Sequence, residues 1–116
     1  MTMVLNTASI ESILATILAV LFAVAGVVNL AGLSTVKRDF ARWGYPAWFR
    51  LLCGALELSS AALLCVQHTR VLGLALAGAI MAGALFTLLR NREPFRHLAP
   101  ALIFSALIVI TVAVRS

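Results

Sequence analysis

The chain has 116 residues, 63% of them hydrophobic and 11% charged, with a formal net charge of +5 and a mean hydropathy of +1.08. A water-soluble domain carries about a quarter of its residues charged, so this composition excludes one; lipid is the solvent that suits it. The basic surplus sits mostly in short connectors between apolar runs, where it anchors headgroups and sets topology, so nucleic-acid binding is not expected.

The first apolar segment runs from about Ile10 to Leu33. No basic residue precedes Lys37, and the run is longer than the apolar part of a signal peptide, so it reads as a retained helix. The remaining segments span about 47–66, 71–89 and 98–114. All four are long enough to cross a hydrocarbon core about 30 Å thick. In lipid each must be helical, because only then are its backbone polar groups satisfied within the segment. The fold expected is therefore all-α: an antiparallel bundle of four transmembrane helices forming one domain over 1–116. No internal repeat or low-complexity tract interrupts it.

The connectors carry the polar information. Residues 34–46 hold Val36, Phe40 and Trp43 at helical spacing, with Lys37, Arg38, Asp39 and Arg42 between them. That pattern predicts a short interfacial helix, with Trp43, Tyr45 and Trp48 as an aromatic belt. Gln67 to Arg70 makes a tight turn. In the last connector Pro94 breaks helix and Pro100 is expected in the first turn of the fourth span. Lys37, Arg38, Arg42, Arg50, Arg90, Arg92 and Arg96 fall on one side and only Arg70 and Arg115 on the other. This bias predicts a multi-pass protein of the cell (inner) membrane with both termini outside.

Within the spans, polar residues need an account. Glu57 lies near the middle of the second span, where an ionisable group costs at least a few kcal/mol and marks a functional candidate. Its helix face carries Arg50, Cys53, Gly54, Ser60, Ala61 and Leu64, so this narrow stripe should point into the bundle. Glu57 is the candidate acid or base, or else a protonated or paired glutamate that pins two helices together. Asn29, on the face of the first span that carries Gly26, could donate to it, but by count Asn29 lies nearer the membrane surface, a gap that helix tilt or a bridging water would have to close. Arg50 either reaches toward Glu57 or snorkels to the headgroups. Asn29, Arg50 and Ser60 are the candidate ligand-binding groups. Ala75, Ala79, Gly83 and Thr87 recur every four residues, a close-packing pattern, in which Thr87 is expected to bond its own backbone. Glu11 is expected to be exposed in the first turn of the first helix.

No metal site is expected, because His68 and His97 lie in connectors with no other ligands clustered about them. Cys53 and Cys65 are separated by about 18 Å of helical rise, too far for a disulfide. There is no haem-ligand pair, iron–sulfur cysteine cluster or dinucleotide motif, so no resident cofactor is expected.

The stretch Phe40-Ala41-Arg42-Trp43-Gly44-Tyr45-Pro46-Ala47-Trp48-Phe49-Arg50 is followed by Gly54-Ala55-Leu56-Glu57-Leu58 and later by Met81-Ala82-Gly83-Ala84. With the earlier Ala25 to Gly32 run, this order and spacing resembles the DoxX-like family of small four-helix membrane proteins, from about Phe22 to Arg90. Two positions depart from its pattern: Asn29 stands where members often have lysine, and Leu88 where many have histidine. The resemblance implies a membrane subunit or scaffold of a redox-linked, quinone-associated system, with a lipophilic pocket near Glu57 and a protein partner or a second copy of the chain. The residues alone equally allow a cofactor-independent enzyme, such as an isomerase, cyclase or epoxide-opening catalyst, acting on a lipophilic substrate through Glu57. A proton-coupled transporter is a third reading.

Overall fold

A computed structural model of the chain describes residues 6–115, all-helical and without strands among them. Five α-helices follow in order: α1 (Thr7–Ala31), α2 (Ser34–Arg42), α3 (Ala47–Cys65), α4 (Arg70–Arg90) and α5 (Phe95–Arg115), with a 3-10 turn at Gln67–Thr69. All except α2 are long and apolar enough to span a membrane.

The helix ends follow local chemistry. The side chain of Asn6 accepts from the Ser9 amide at 2.9 Å and caps α1, satisfying one of the orphan donors of its first turn. Gly32 ends α1 in the left-handed region at φ 66°, which glycine adopts without a Cβ penalty. The short interfacial helix expected at 34–46 is α2, with Val36, Phe40 and Trp43 half-buried and Lys37, Arg38 and Arg42 outward. Pro94 stops the connector as expected. Pro100, however, falls in the second turn of α5, because that helix already begins at Phe95. There it cannot donate to the carbonyl of Arg96, four residues back.

The spans form a ring in which α1 packs on α3 and α5, and α4 on the same two. α1 and α3 approach closely at a glycine crossing. A Cβ on Gly26 would lie 2.9 Å from the Gly54 carbonyl oxygen, and a Cβ on Gly54 would lie 3.0 Å from that of Gly26. The backbones of α1 and α3 therefore touch, as small residues allow between helices in lipid. The ladder on α4 does not act this way. A Cβ on Gly83 would meet nothing within 4 Å, and Ala75, Ala79 and Gly83 are exposed.

Polarity runs inside out. Val24 on α1, Phe86 on α4 and Val109 on α5 are each more than half exposed, while Arg50, Glu57, Ser60, Thr87 and Thr111 are buried. Water would invert that arrangement; a bilayer rewards it, since outward apolar side chains meet hydrocarbon and inward polar ones find partners. The end of the bundle away from α2 is closed by an ion cluster. Glu11 is buried rather than exposed, and its Oε2 lies 2.5 Å from Arg115 Nη1 and 3.5 Å from Arg70 Nη1. Arg70 also donates from Nε to the Leu64 carbonyl at 3.1 Å. One carboxylate thereby joins the outer ends of α1, α4 and α5.

Candidate functional site

The stripe on α3 points inward as its spacing predicts. Arg50, Gly54, Glu57, Ser60, Ala61 and Leu64 are the buried residues of that helix. The glycine crossing brings α1 and α3 close enough for Asn29 Nδ2 to donate to Glu57 Oε1 at 2.5 Å. The bond is direct, so no bridging water is needed to close the difference in depth between the two residues. The second carboxyl oxygen of Glu57 has no hydrogen-bond partner among the described residues.

Glu57 lines a cavity of about 470 Å³ between α3 and α4, within the range of small-molecule sites. Asn29, Cys53, Leu56 and Glu57 form one wall, and Leu76, Ala79, Gly83 and Thr87 the other. The small residues of the α4 ladder thus make room instead of close contact. Ala79, Gly83 and Phe86 line the cavity and are also exposed, so it opens sideways, toward lipid. Phe40, Trp43, Tyr45 and Phe49 cover the end nearest α2. Their rings stack in tilted pairs, with Tyr45 and Phe49 centroids 4.6 Å apart and Phe40 and Trp43 5.3 Å apart. Trp43 and Tyr45 therefore face inward, and only Trp48, 63% exposed, remains as the outward member of the expected belt.

The cavity holds a second polar pair. The Tyr45 hydroxyl and Thr87 Oγ1 lie 2.6 Å apart, so the Thr87 hydroxyl is joined to the aromatic cover instead of its own helix. Tyr45 and Thr87 were legible only as a belt residue and a packing residue, because their pairing crosses 42 positions of sequence. Asn29 and Leu88 both line this cavity.

Two candidate ligand-binding residues lie elsewhere. Arg50 does not reach Glu57. Its Nη1 donates to the carbonyl of Asn29, and also approaches that of Leu30 at 3.5 Å. It thus satisfies the carbonyls left open where α1 ends, and no snorkelling is involved, as it is buried. The Ser60 hydroxyl donates to the Gly73 carbonyl at 3.1 Å, where Gly73 packs against the backbone of Leu63 and Leu64. This joint closes α3 and α4 at the end away from α2, leaving them parted where the cavity lies. Neither residue is in the cavity wall.

The cover is itself tied down by a connector residue the sequence patterns did not single out. Glu93 Oε2 accepts from Arg42 Nη2 at 2.9 Å and Trp43 Nε1 at 3.2 Å, while His97 Nδ1 lies 2.8 Å from Oε1. His97 is therefore a bonded residue, not a freely solvated one. The Trp43 N–H, foremost, together with His97 and the Arg42 charge, holds the Glu93 carboxyl below its ordinary range. No group of three or more metal-ligating side chains occurs among the described residues.

Compared with known families, the chain matches the model described as DoxX-like family over residues 13–111. No curated protein and no solved structure matches it.

Proposed function

The chain belongs to the DoxX-like family, and from that premise we propose that it is a membrane subunit or scaffold of a redox-linked system that holds a quinone-type molecule at Glu57. The observation that carries this reading is the cavity itself: apolar, open toward lipid, with Glu57 the only carboxyl among its lining residues. A lipophilic ring enters sideways from the bilayer and lies against Leu56, Leu76 and Ile80. Its polar end meets Glu57, held in place by Asn29. A hydroquinone hydroxyl donates to the carboxylate; a quinone carbonyl accepts from the protonated acid. Electrons come from a partner protein, since the chain carries no redox motif of its own. In this reading the chain is an inner-membrane protein with the α2 end, where the basic residues gather, in the cytoplasm.

A second reading rests on the Tyr45–Thr87 pair, which adds another proton-carrying group to the same cavity. Glu57 would then act as general acid or base in a cofactor-independent isomerisation, cyclisation or epoxide opening, with Asn29 and Tyr45 orienting the substrate.

The test is native mass spectrometry of the detergent-purified protein with an added lipophilic quinone. Wild type should retain one quinone per chain, Glu57→Gln about tenfold less, and Ser60→Ala as much as wild type. Equal retention by wild type and Glu57→Gln sinks the proposal. A retained native molecule other than a quinone, converted on incubation by wild type and not by Glu57→Gln, establishes the enzyme reading instead.

A further inference from the structure

A second cavity, of about 450 Å³, lies at the α2 end behind Trp43. Trp43, Met81 and Leu88 line both it and the Glu57 cavity and so stand as the partition between them. Its character changes along its length. Ala25, Ala101 and Phe104 make an apolar interior, while Asp39, Arg96 and His97 stand at the mouth. Asp39 and His97 also line an adjoining polar cavity, to which Thr35, Arg38 and Arg42 contribute.

Three guanidiniums, Arg38, Arg42 and Arg96, stand here against two carboxylates, Asp39 and Glu93, an excess of one positive charge. Arg42 is matched by Asp39 at 3.2 Å and Glu93 at 2.9 Å. Arg38 and Arg96 have no partner among the described residues. Arg96 lines the apolar chamber and Arg38 the adjoining polar cavity, so two guanidiniums without partners stand at the level where α5 begins. A soluble anion would satisfy the arginines and leave the chamber empty. A neutral lipophile would fill the chamber and leave the arginines unmatched. A molecule with one anionic head and an apolar chain satisfies both, and guanidinium recognises phosphate oxygens in paired hydrogen bonds.

We propose that this cavity and the adjoining polar one together bind one anionic phospholipid of the surrounding leaflet, its phosphate held by Arg96 of the first and Arg38 of the second and an acyl chain lying along Ala25, Ala101 and Phe104. The site is independent of the quinone reading, since Trp43 separates the two cavities. The lipid braces α2 against α5 from the side opposite the Glu57 cavity.

Native mass spectrometry of the purified protein with matched-chain phosphatidylglycerol and phosphatidylcholine tests this. Wild type should hold one phosphatidylglycerol with about tenfold preference, two surface cations being enough for that discrimination. The pair Arg38→Gln and Arg96→Gln should abolish the preference, and Arg38→Lys with Arg96→Lys should keep most of it. Arg90→Gln with Arg92→Gln, which removes two cations near the same end but outside the cavity, should leave it unchanged. Equal loss in that control pair overturns the proposal in favour of diffuse surface attraction. Competition by millimolar inorganic phosphate also overturns it, since a simple anion site needs no chain. These wild-type competition arms decide the matter even if the glutamine pair fails to fold.

Discussion

Glu57 and Arg50 share one face of α3, and both are buried, yet their work differs because of what each side chain meets. Glu57 meets one amide and a cavity. Arg50 meets carbonyls of the last turn of α1, which without it would lack that donor. Removing such a donor leaves buried acceptors unsatisfied, at about 1–3 kcal/mol. Arg50→Leu should therefore lower the thermal stability of the purified protein by roughly that amount. Quinone retention per folded chain should stay near the wild-type value, as native mass spectrometry would read. A selective loss of quinone from a chain of undiminished stability would return Arg50 to the binding site. Helix spacing places Arg50 and Glu57 together on a face; it does not say that the end of another helix, 20 residues away, supplies the arginine's partner.

At the scale of elements, α2 is the part most dependent on a single joint. It is short and amphipathic, with no fully buried residue, and Glu93 ties Arg42 and Trp43 to the start of α5 through His97. The native partners depress the Glu93 carboxyl, so folding and proton binding oppose each other there. A depressed carboxyl contributes its full stability above the ordinary carboxylate value, about 4.3, and loses it as pH falls through the lower native value. Trp43 emission, read in a Trp48→Phe background in lipid discs, should be constant from neutral pH to about 4.3 and shift below it. Glu93→Gln should show the shifted emission at neutral pH with no carboxylate transition. An unchanged spectrum in that variant would remove Glu93 from its place as the α2 tie. The interfacial helix itself was legible, since apolar residues at i, i+4 and i+7 between charges leave few alternatives. Its cover function was not, because Trp43 and Tyr45 fit a headgroup belt equally well until α4 is placed beneath them.

At the scale of the molecule, the two ends of the bundle are built on opposite plans. The α2 end holds the cavities, with the one at Glu57 beneath aromatic rings. The other end is sealed by Glu11 between Arg70 and Arg115, above a core in which Leu18, Phe22, Leu64 and Thr111 are fully buried. Removing the one carboxylate leaves Arg70 as a nearly buried, unmatched charge. Breaking a buried pair in this way costs on the order of 3 kcal/mol. Glu11→Ala should accordingly lower the unfolding temperature markedly, with Arg70→Met in the same chain recovering part of the loss. If Glu11→Ala unfolds like wild type, the cluster is not what closes that end.

Hydropathy and residue spacing were enough to establish the membrane environment, the four spans, the antiparallel bundle, the interfacial helix and the inward direction of the Glu57 face. Each of these is a one-dimensional property: segment hydropathy against bilayer thickness, or helical period against residue spacing. Tertiary structure decided what these faces meet. The Gly26–Gly54 crossing brings Asn29 to Glu57, the Ser60–Gly73 joint closes one end of α3 and α4, and the parted other end makes the cavity. Glu11 lies 104 residues from Arg115 and reads alone as an exposed helix start. Pairings of that range depend on which helices are neighbours and how closely their backbones approach. That is a matter of three-dimensional packing between helices, which no periodicity along a single helix encodes.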